Sequence, residues 1–250
     1  MIDEGLRLVF RTMRDFEVSC LLMGGQACVL YGAAEFSKDV DFAILAAQEN
    51  LHRVDQAMKS LNAEVIAAPP FEARFLDEGL AVHFRCHARH VEGLRIDVMT
   101  KMRGVASFPQ LWKRRNEIGN GVDLIVSLLH IEDLVTSKKT QRDKDWPMIQ
   151  RLMEVNYLAG VESPSAAGIE FWFRELRTSE FLIDAAVRFP GEANAATENR
   201  SLIARAIEGD RAALERELNE EMLAEKERDR IHWEPLKSRL SELRRNRSKS

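Results

Sequence analysis

The sequence has few of the features that mark secreted, membrane-spanning or strongly basic proteins. It holds only three cysteines, an odd number in apolar or strand-like surroundings, so we expect buried thiols rather than a disulfide framework. No uninterrupted apolar run approaches the length that a bilayer crossing needs, and the first residues have neither the basic flank nor the apolar block of a signal peptide. These patterns predict a cytoplasmic protein with no membrane partner.

An excess of positive charge is also missing. The formal net charge is −4, which argues against a globally basic nucleic-acid binder. Hydrophobic residues make up 45% of the 250 residues and charged residues 30%, the composition of a globular protein long enough to bury a core. The chain is therefore expected to fold by itself, with local charged patches still open as binding surfaces.

Strand and helix signals alternate in the first part of the chain, and helix signals dominate from Asp143 onward. The predicted strands cover residues 18–23, 39–45, 80–86, 94–100 and 122–129, and the predicted helices cover residues 3–16, 26–32, 48–61 and 108–115. Residues 190–200 read as a loop, and the stretch AGVESPS breaks the helical pattern near Gly160. We therefore predict an α/β domain over residues 1–160 and a helical C-terminal region over residues 161–250.

The stretch GGQACVLYGAAEFSKDVDF joins a diglycine turn to a pair of aspartates. Strand alternation places Asp39 and Asp41 on one face of a strand and Val40 on the other. Two like charges so close repel each other unless a positive charge lies between them, and a divalent ion such as Mg²⁺ suits their hard oxygen ligands. The turn at Gly24 and Gly25 lets backbone N–H groups approach an anion such as phosphate.

Each part of this pattern has a simpler explanation when it is taken alone. An Asp-x-Asp sequence is expected about once by chance in a chain of this composition, and Asp143-Lys144-Asp145 is a second instance. Asp97 could be a strand residue that pairs with Arg95 or Lys101. It is the combination of the diglycine with aspartates at a fixed distance that indicates a phosphate and metal site.

That combination resembles the signature of the DNA polymerase β nucleotidyltransferase superfamily. Here it consists of Met23-Gly24-Gly25, thirteen intervening residues (26–38) and Asp39-Val40-Asp41-Phe42. The superfamily also has a third carboxylate on a neighbouring strand, and Asp97 within LRIDVM stands in the corresponding order and context. The resemblance implies a nucleotidyltransferase-type mixed β-sheet flanked by helices, with a C-terminal helical region.

Two further stretches are similar to bacterial members related to abortive-infection toxins. YGAAEFSKDVDF resembles their phrasing around the paired aspartates, although Glu35 stands where relatives often have arginine and leaves Lys38 as the nearest cation. IEDLVTSKKTQRDKDWPMI resembles their later motif. The resemblance implies that Lys138 contacts phosphate and that Asp145 supports it, with Lys139 as the alternative one residue away.

The resemblance also implies an activity. Asp39, Asp41 and Asp97 would hold two Mg²⁺ ions, with Asp97 also acting as base, while the nucleotide-binding set would be Gly24, Gly25, Lys38, Lys138 and Asp145. The reaction would move a nucleoside monophosphate from a nucleoside triphosphate to a hydroxyl acceptor and release pyrophosphate. The acceptor would be a tRNA end or a protein side chain, and an antitoxin is the candidate protein partner.

Two alternatives to this activity remain open. Aminoglycoside and lincosamide nucleotidyltransferases share the diglycine and Asp-x-Asp pattern, and acidic C-terminal helices would suit a cationic drug. An RNA acceptor would instead favour the basic residues 113–115 and the basic tail from residue 239 to 249. A non-catalytic nucleotide-binding or antitoxin-like protein could keep the same fold, but it would have no reason to hold three mutually repelling acids together.

Two other clusters have structural explanations. Strand alternation puts His83 and His87 on one face and Cys86 and His90 on the other, which argues against a shared zinc ion. The consecutive aromatic residues 171–173 cannot share one helix face. Core packing is therefore the favoured explanation for them, with a base-stacking platform as the alternative.

Overall fold

The computed structural model describes residues 3–119 and 124–247, which form a mixed α/β fold and confirm the predicted class. Within these residues the strands are β1 (Cys20–Met23), β2 (Asp39–Ile44), β3 (Glu64–Val65), β4 (Val82–Arg85), β5 (Arg95–Met99), β6 (Asn116–Gly119) and β7 (Ile125–Leu128). The helices are α1 (Glu4–Asp15), α2 (Gly24–Leu30), α3 (Gln48–Ser60), α4 (Ala73–Asp77), α5 (Phe108–Lys113), α6 (Ile131–Ser137), α7 (Asp145–Gly160), α8 (Ala166–Glu175), α9 (Ser179–Arg188), α10 (Pro190–Ala196), α11 (Ile203–Glu208) and α12 (Arg211–Arg247).

The strands form one mixed sheet in the order β3-β4-β5-β2-β1-β7-β6. The pairs β2/β5 and β1/β7 are parallel, and the remaining neighbours are antiparallel. Strand β2 lies at the centre, so its backbone is hydrogen-bonded on both edges by β1 and β5. The strand that carries two of the three predicted metal ligands is thus an interior strand, paired along both edges.

Alternation along the central strands separates an apolar face from an acidic one. Val40 and Phe42 are 0% and 2% exposed, whereas Asp39 and Asp41 are half-buried. The ring of Phe10 on α1 meets the ring of Phe42 edge to face, with 6.3 Å between centroids. Helix α1 therefore packs on the apolar face and leaves the aspartates on the other side of the sheet.

Helix α1 begins at a side-chain cap, whereas α3 is held by a buried side chain that bonds to residues next to neighbouring strands. Asp3 caps α1 by accepting a hydrogen bond from Leu6 N at 2.8 Å. Asn50 on α3 is buried and accepts a hydrogen bond from Ser19 N at 2.7 Å, while its amide donates to Ser19 O at 3.1 Å and Leu45 O at 2.9 Å. Asn50 thereby fastens α3 to the start of β1 and the end of β2.

The chain divides into two compact units. The first comprises Met1–Leu30, Glu35–Ser137 and His232–Ser250 and contains the whole sheet. The second comprises Tyr31–Ala34 and Lys138–Ile231 and is helical. The domain boundary predicted at residue 160 coincides with the end of α7, inside the second unit, and stays a prediction.

Aromatic residues form much of the core of the second unit. Phe171, Trp172 and Phe173 on α8 are all at most 4% exposed, which agrees with core packing. The Trp172 ring lies edge to face with that of Tyr157 at 5.0 Å, and Trp172 Nε1 donates a hydrogen bond to Asn156 Oδ1 at 2.8 Å. The three rings are thus held inside the helical unit.

Some elements differ from the sequence-based expectation. Residues 190–200 were expected to be a loop, but Pro190–Ala196 form α10, because proline is well suited to the first turn of a helix. Strand β6 was not predicted, since its sequence, NEIG, holds a single apolar side chain and so shows no apolar alternation. The first two residues of the strand predicted over 122–129 lie outside the described residues, and β7 accounts for part of the rest.

Among the described residues, none of the helices combines the length and the apolar character needed to cross a membrane.

Candidate functional site

The parallel pairing of β2 with β5 brings the predicted metal ligands together. In the register of the two strands Asp41 is paired with Asp97, and Asp39 is paired with Arg95. Paired residues on neighbouring strands point to the same face and lie about 4.8 Å apart, and residues i and i+2 of a strand lie about 6.6 Å apart. Asp39, Asp41 and Asp97 therefore occupy one acidic patch on the face opposite to Phe42.

Gly24 closes this patch against the start of α2. Its φ angle is +67°, in the left-handed region that glycine adopts at little cost. The Asp41 carboxylate lies so close to the Gly24 backbone that a Cβ atom there would overlap it. A Cβ atom at Gly25 would likewise overlap the side chain of Ser37. The diglycine is required by the close approach of Asp41 and Ser37.

The loop before β2 is held by the same turn. Gln26 on α2 is buried, and its amide donates a hydrogen bond to Ser37 O at 2.8 Å. Ser37 Oγ donates to Asp39 O at 3.2 Å. Lys38 is exposed in this loop, and Phe36 is 71% exposed. The short helix α2 thus fixes the backbone that leads into Asp39 and leaves the Lys38 side chain in solvent.

Asp97 is buried, and its carboxylate is held by two neighbours. Arg95 Nε donates to Asp97 Oδ1 at 2.7 Å, and Arg95 Nη2 donates to Asp97 Oδ2 at 2.8 Å, a bidentate ion pair. His83 on β4 stands opposite Asp97 in the β4/β5 register, with Nδ1 2.9 Å from Asp97 Oδ1. Of the two partners that the sequence offered for Asp97, the structure selects Arg95, because Lys101 Nζ donates to Asp77 O at 2.5 Å.

Charge interactions in the patch shift the pKa values of Asp97 and Arg95. Burial by itself would raise the pKa of Asp97, but the hydrogen bonds from His83 and Arg95 outweigh it and leave the pKa below the ordinary value of 3.8. The hydrogen bond to Asp97 raises the pKa of Arg95, and the negative charges of Asp39 and Asp41 raise it further. Arg95 therefore interacts electrostatically with all three carboxylates.

Lys138 and Asp145 belong to the second unit, where they pair with each other. Both are buried, and Lys138 Nζ lies 3.4 Å from Asp145 Oδ1. Asp145 Oδ2 also accepts hydrogen bonds from Thr140 Oγ1 at 2.6 Å and Arg142 Nε at 2.8 Å. Asp145 is the first residue of α7, where a carboxylate also suits the helix dipole. The Asp145 carboxylate thus binds side chains from the segment between α6 and α7.

The alternative lysine has a different environment. Lys139 Nζ lies 2.6 Å from Glu175 Oε2, and Glu175 is buried at the end of α8. Lys139 therefore forms an ion pair with Glu175 inside the helical unit, whereas Lys138 pairs with Asp145. Helix α6 ends at Ser137, one residue before Lys138.

The basic segment at residues 113–115 is engaged in ion pairs within the first unit. Arg114 Nε donates to Asp133 Oδ2 at 2.6 Å, and Asp133 is buried. Arg115 donates to Glu117 Oε1 from Nε at 2.9 Å and stacks over Trp112, with 4.2 Å from Cζ to the ring centroid. These contacts neutralise much of the charge that the sequence offered to an RNA acceptor.

The histidines and the cysteine considered for zinc have separate partners. His87 Nδ1 lies 3.1 Å from Glu92 Oε1, and this contact raises its pKa. Burial raises the pKa of Cys86 to about 11. His90 Nδ1 lies 3.5 Å from a carboxylate oxygen of Glu4.

The donor atoms of the acidic patch suit a hard divalent cation, since they are carboxylate oxygens from adjacent positions of two strands. Within residues 3–119 and 124–247, no group of three or more His, Cys, Asp or Glu side chains is arranged to hold a metal ion. The bidentate contact with Arg95 takes up both oxygens of Asp97. A divalent cation would need at least one of those oxygens.

The sequence linked His83 only to a zinc site, which strand alternation argued against, and not to the acidic patch. The link between His83 and Asp97 depends on the register of the β4/β5 pair, which joins residues on either side of a nine-residue connection, 86–94. The contact between Arg95 and Asp97 could be predicted from the sequence, because residues i and i+2 of a strand share a face.

Comparison with known proteins does not identify a family for the chain. No protein-family model matches the chain, and no curated protein matches it. The assignment of a function therefore depends on the acidic patch and on the motif resemblance.

Proposed function

We propose that the protein is a metal-dependent nucleotidyltransferase that moves a nucleoside monophosphate from a nucleoside triphosphate to a hydroxyl acceptor. The observation that carries the proposal is the β2/β5 register, which pairs Asp41 with Asp97 and keeps Asp39 on the same face. A chain that only needed a stable sheet would gain nothing from three carboxylates there, because like charges at paired positions repel each other.

The diglycine turn supports the same assignment. Gly24 allows the Asp41 carboxylate to lie against the backbone at the start of α2, and Gly25 does the same for Ser37. Phosphate groups carried by a metal ion on Asp39 and Asp41 would therefore lie close to the half-buried backbone of this turn. This is the arrangement that the diglycine and Asp-x-Asp resemblance implies.

In this proposal Asp39, Asp41 and Asp97 would hold the divalent cations. Bound Mg²⁺ would supply Lewis-acid polarisation of the α-phosphate and lower the pKa of the acceptor hydroxyl. The lowered pKa of Asp97 keeps its carboxylate ionised at neutral pH. Both oxygens of this carboxylate are bound by Arg95, so Asp97 would act as a ligand and as acceptor for the hydroxyl proton only after Arg95 releases it.

The transfer replaces one oxygen bond to the α-phosphorus by another. The acceptor oxygen forms a bond to the α-phosphorus, and the bond from that phosphorus to the bridging oxygen of the β-phosphate breaks. Pyrophosphate leaves with the electron pair, and the hydroxyl proton passes to the Asp97 carboxylate and then to solvent. Catalysis would consist mainly of placement and charge stabilisation.

Lys138 is the proposed phosphate-contacting lysine of the second unit. Its ammonium group is buried beside Asp145, so it is preorganised rather than mobile in solvent. The resemblance of IEDLVTSKKTQRDKDWPMI to the later motif supports this role. Lys139 is a weaker candidate, because its Nζ lies only 2.6 Å from the buried carboxylate of Glu175, against 3.4 Å between Lys138 Nζ and Asp145 Oδ1.

The proposal is tested by supplying acceptors separately. The full-length protein is incubated with each α-labelled nucleoside triphosphate and Mg²⁺, together with total tRNA, with a bacterial protein extract or with kanamycin. Label in tRNA or in protein, with release of pyrophosphate, is the expected result. Label only in kanamycin would identify an antibiotic-modifying enzyme instead.

A binding protein without turnover would behave differently in the same samples. Calorimetry would then detect nucleotide binding that is indifferent to Mg²⁺, and no pyrophosphate would form with any acceptor. That outcome would overturn the proposal.

A further inference from the structure

Arg95 places a positive charge beside the three carboxylates of the acidic patch. It binds Asp97 through two hydrogen bonds of 2.7 and 2.8 Å. It also stands directly opposite Asp39 in the β2/β5 register. No other arginine or lysine of β2 or β5 shares this face, because Arg95 is the only basic residue in the two strands.

The contact between Arg95 and Asp97 is well defined. Arg95 Nη2 lies 3.0 Å from His83 Nδ1, and His83 Nδ1 lies 2.9 Å from Asp97 Oδ1. The Asp97 side chain is only 10% exposed, whereas that of Arg95 is 36% exposed, so water reaches the ion pair from the guanidinium side. A guanidinium fixed on a buried carboxylate in two-point geometry is a strong competitor for its oxygens.

We propose that Arg95 is an internal counter-ion that keeps the metal site closed until a divalent cation displaces it from Asp97. This inference rests on the proposed function, since it concerns the same carboxylates. The guanidinium and the cation need the same oxygen lone pairs, so they bind Asp97 in alternation. Arg95 is thus a positioning residue that sets the metal affinity, and it also relieves the repulsion among the three aspartates in the metal-free protein.

The test measures Mn²⁺ binding to the full-length protein without nucleotide. Calorimetry gives the dissociation constant, and the electron paramagnetic resonance signal of free Mn²⁺ counts the ions bound. Arg95→Gln is expected to bind Mn²⁺ about tenfold more tightly than the unmodified protein, which corresponds to about 1.4 kcal/mol. Arg95→Lys keeps the charge but cannot make the two-point contact, so its affinity should fall between the two.

Arg85→Gln is the matched control. Arg85 is the residue of β4 paired with Arg95, so it shares the face and the charge, and its side chain is exposed. Its Mn²⁺ affinity should stay within about twofold of the unmodified protein, because screened surface charges contribute little. Circular dichroism checks that each variant is folded, and Arg95→Lys carries the test if Arg95→Gln does not fold.

The outcomes separate the two proposals. If the unmodified protein binds Mn²⁺ and Asp97→Asn binds it more weakly, but the Arg95 variants bind no more tightly, the counter-ion role is wrong and the metal site stands. An increase in Arg85→Gln equal to that in Arg95→Gln would also overturn it, since the effect would then be one of net charge. If neither the unmodified protein nor Arg95→Gln binds Mn²⁺, the metal site and the counter-ion role fail together.

Discussion

Asp41 and Asp97 are directly paired across the parallel strands β2 and β5. Such a pair of like charges destabilises a sheet unless a cation lies beside it. In the described structure Arg95 provides that cation through its contact with Asp97. The paired aspartates are therefore unfavourable for the stability of the sheet. Such residues are common in proteins where activity rather than stability requires them.

Replacing Asp41 or Asp97 by asparagine should abolish nucleotidyl transfer. The change keeps the size of the side chain but removes the charge that would hold a divalent cation. We expect a loss of at least about 100-fold in the rate of label incorporation, since metal-assisted charge stabilisation contributes several kcal/mol. Asp55→Asn on α3 is the control, because Asp55 lies outside the acidic patch and pairs with Lys59 on the same helix. Normal turnover by both purified site variants would contradict the site.

Gly24→Ala should both destabilise the protein and displace the Asp41 carboxylate. The new methyl group would overlap Asp41 and would also impose a side chain on a residue with φ +67°. Gly93→Ala separates the two effects, because Gly93 has φ +79° but no atom within 4 Å of an added Cβ. Chemical denaturation should give a cost of about 1 kcal/mol for Gly93→Ala and about 1–3 kcal/mol more for Gly24→Ala. Equal costs would show that the backbone yields without strain.

Asn50→Ala should lower the free energy of unfolding by about 2–4 kcal/mol. The substitution leaves the backbone groups of Ser19 and Leu45 without their buried partner, and each unsatisfied group costs about 1–3 kcal/mol. Urea denaturation followed by circular dichroism measures the change. Gln56→Ala, at an exposed position of the same helix, should change the stability by less than about 0.5 kcal/mol. Similar values for the two variants would show that Asn50 does not fasten α3.

Glu221→Gln should weaken the second unit in a pH-dependent way. Burial alone would raise the pKa of Glu221, but the charges of Arg200 and Arg177 lower it below the ordinary value of 4.5. Because the pKa in the folded state is depressed, the stabilisation is present above about pH 4.5 and is lost as the pH falls through the lower folded-state value. At pH 7 the substitution should cost about 1–3 kcal/mol, since Arg200 Nη2 donates to Glu221 Oε2 at 2.8 Å.

Urea denaturation at several pH values measures the cost of Glu221→Gln, and Glu220→Gln is the control, because Glu220 is the exposed neighbour on α12. The difference between the Glu221 variant and the unmodified protein should shrink between pH 5 and pH 3, roughly the range in which glutamate becomes protonated. A difference that stays constant over this range would show that the charge of Glu221 does not stabilise the unit.

The predictable part of the site came from local patterns. The diglycine turn, the alternation in DVDF and the spacing of Arg95 and Asp97 each involve residues close in the chain, so their geometry follows from strand and turn rules. The pairing of Asp41 with Asp97 is different. Those residues are far apart in sequence, and only the order of the strands in the sheet decides whether they meet.

The parts that were missed depend on partners rather than on propensity. Strand β6 exists because β7 lies beside it, and its own residues show no apolar alternation. His83 reaches Asp97 only through the β4/β5 register. Helix α10 was missed for a simpler reason, since the proline and glycine that begin it were interpreted as a loop. The α/β class was predictable because alternating strands and helices are a property of the whole pattern.

The central position of β2 has a consequence for local fluctuations. Edge strands such as β3 and β6 can fray one at a time, whereas the amides of β2 lose their partners only when β1 or β5 also separates. Hydrogen–deuterium exchange in β2 should therefore be among the slowest in the sheet, at a rate set by cooperative opening. The aspartates on this strand would then keep their spacing through the motions that loosen the rim of the domain.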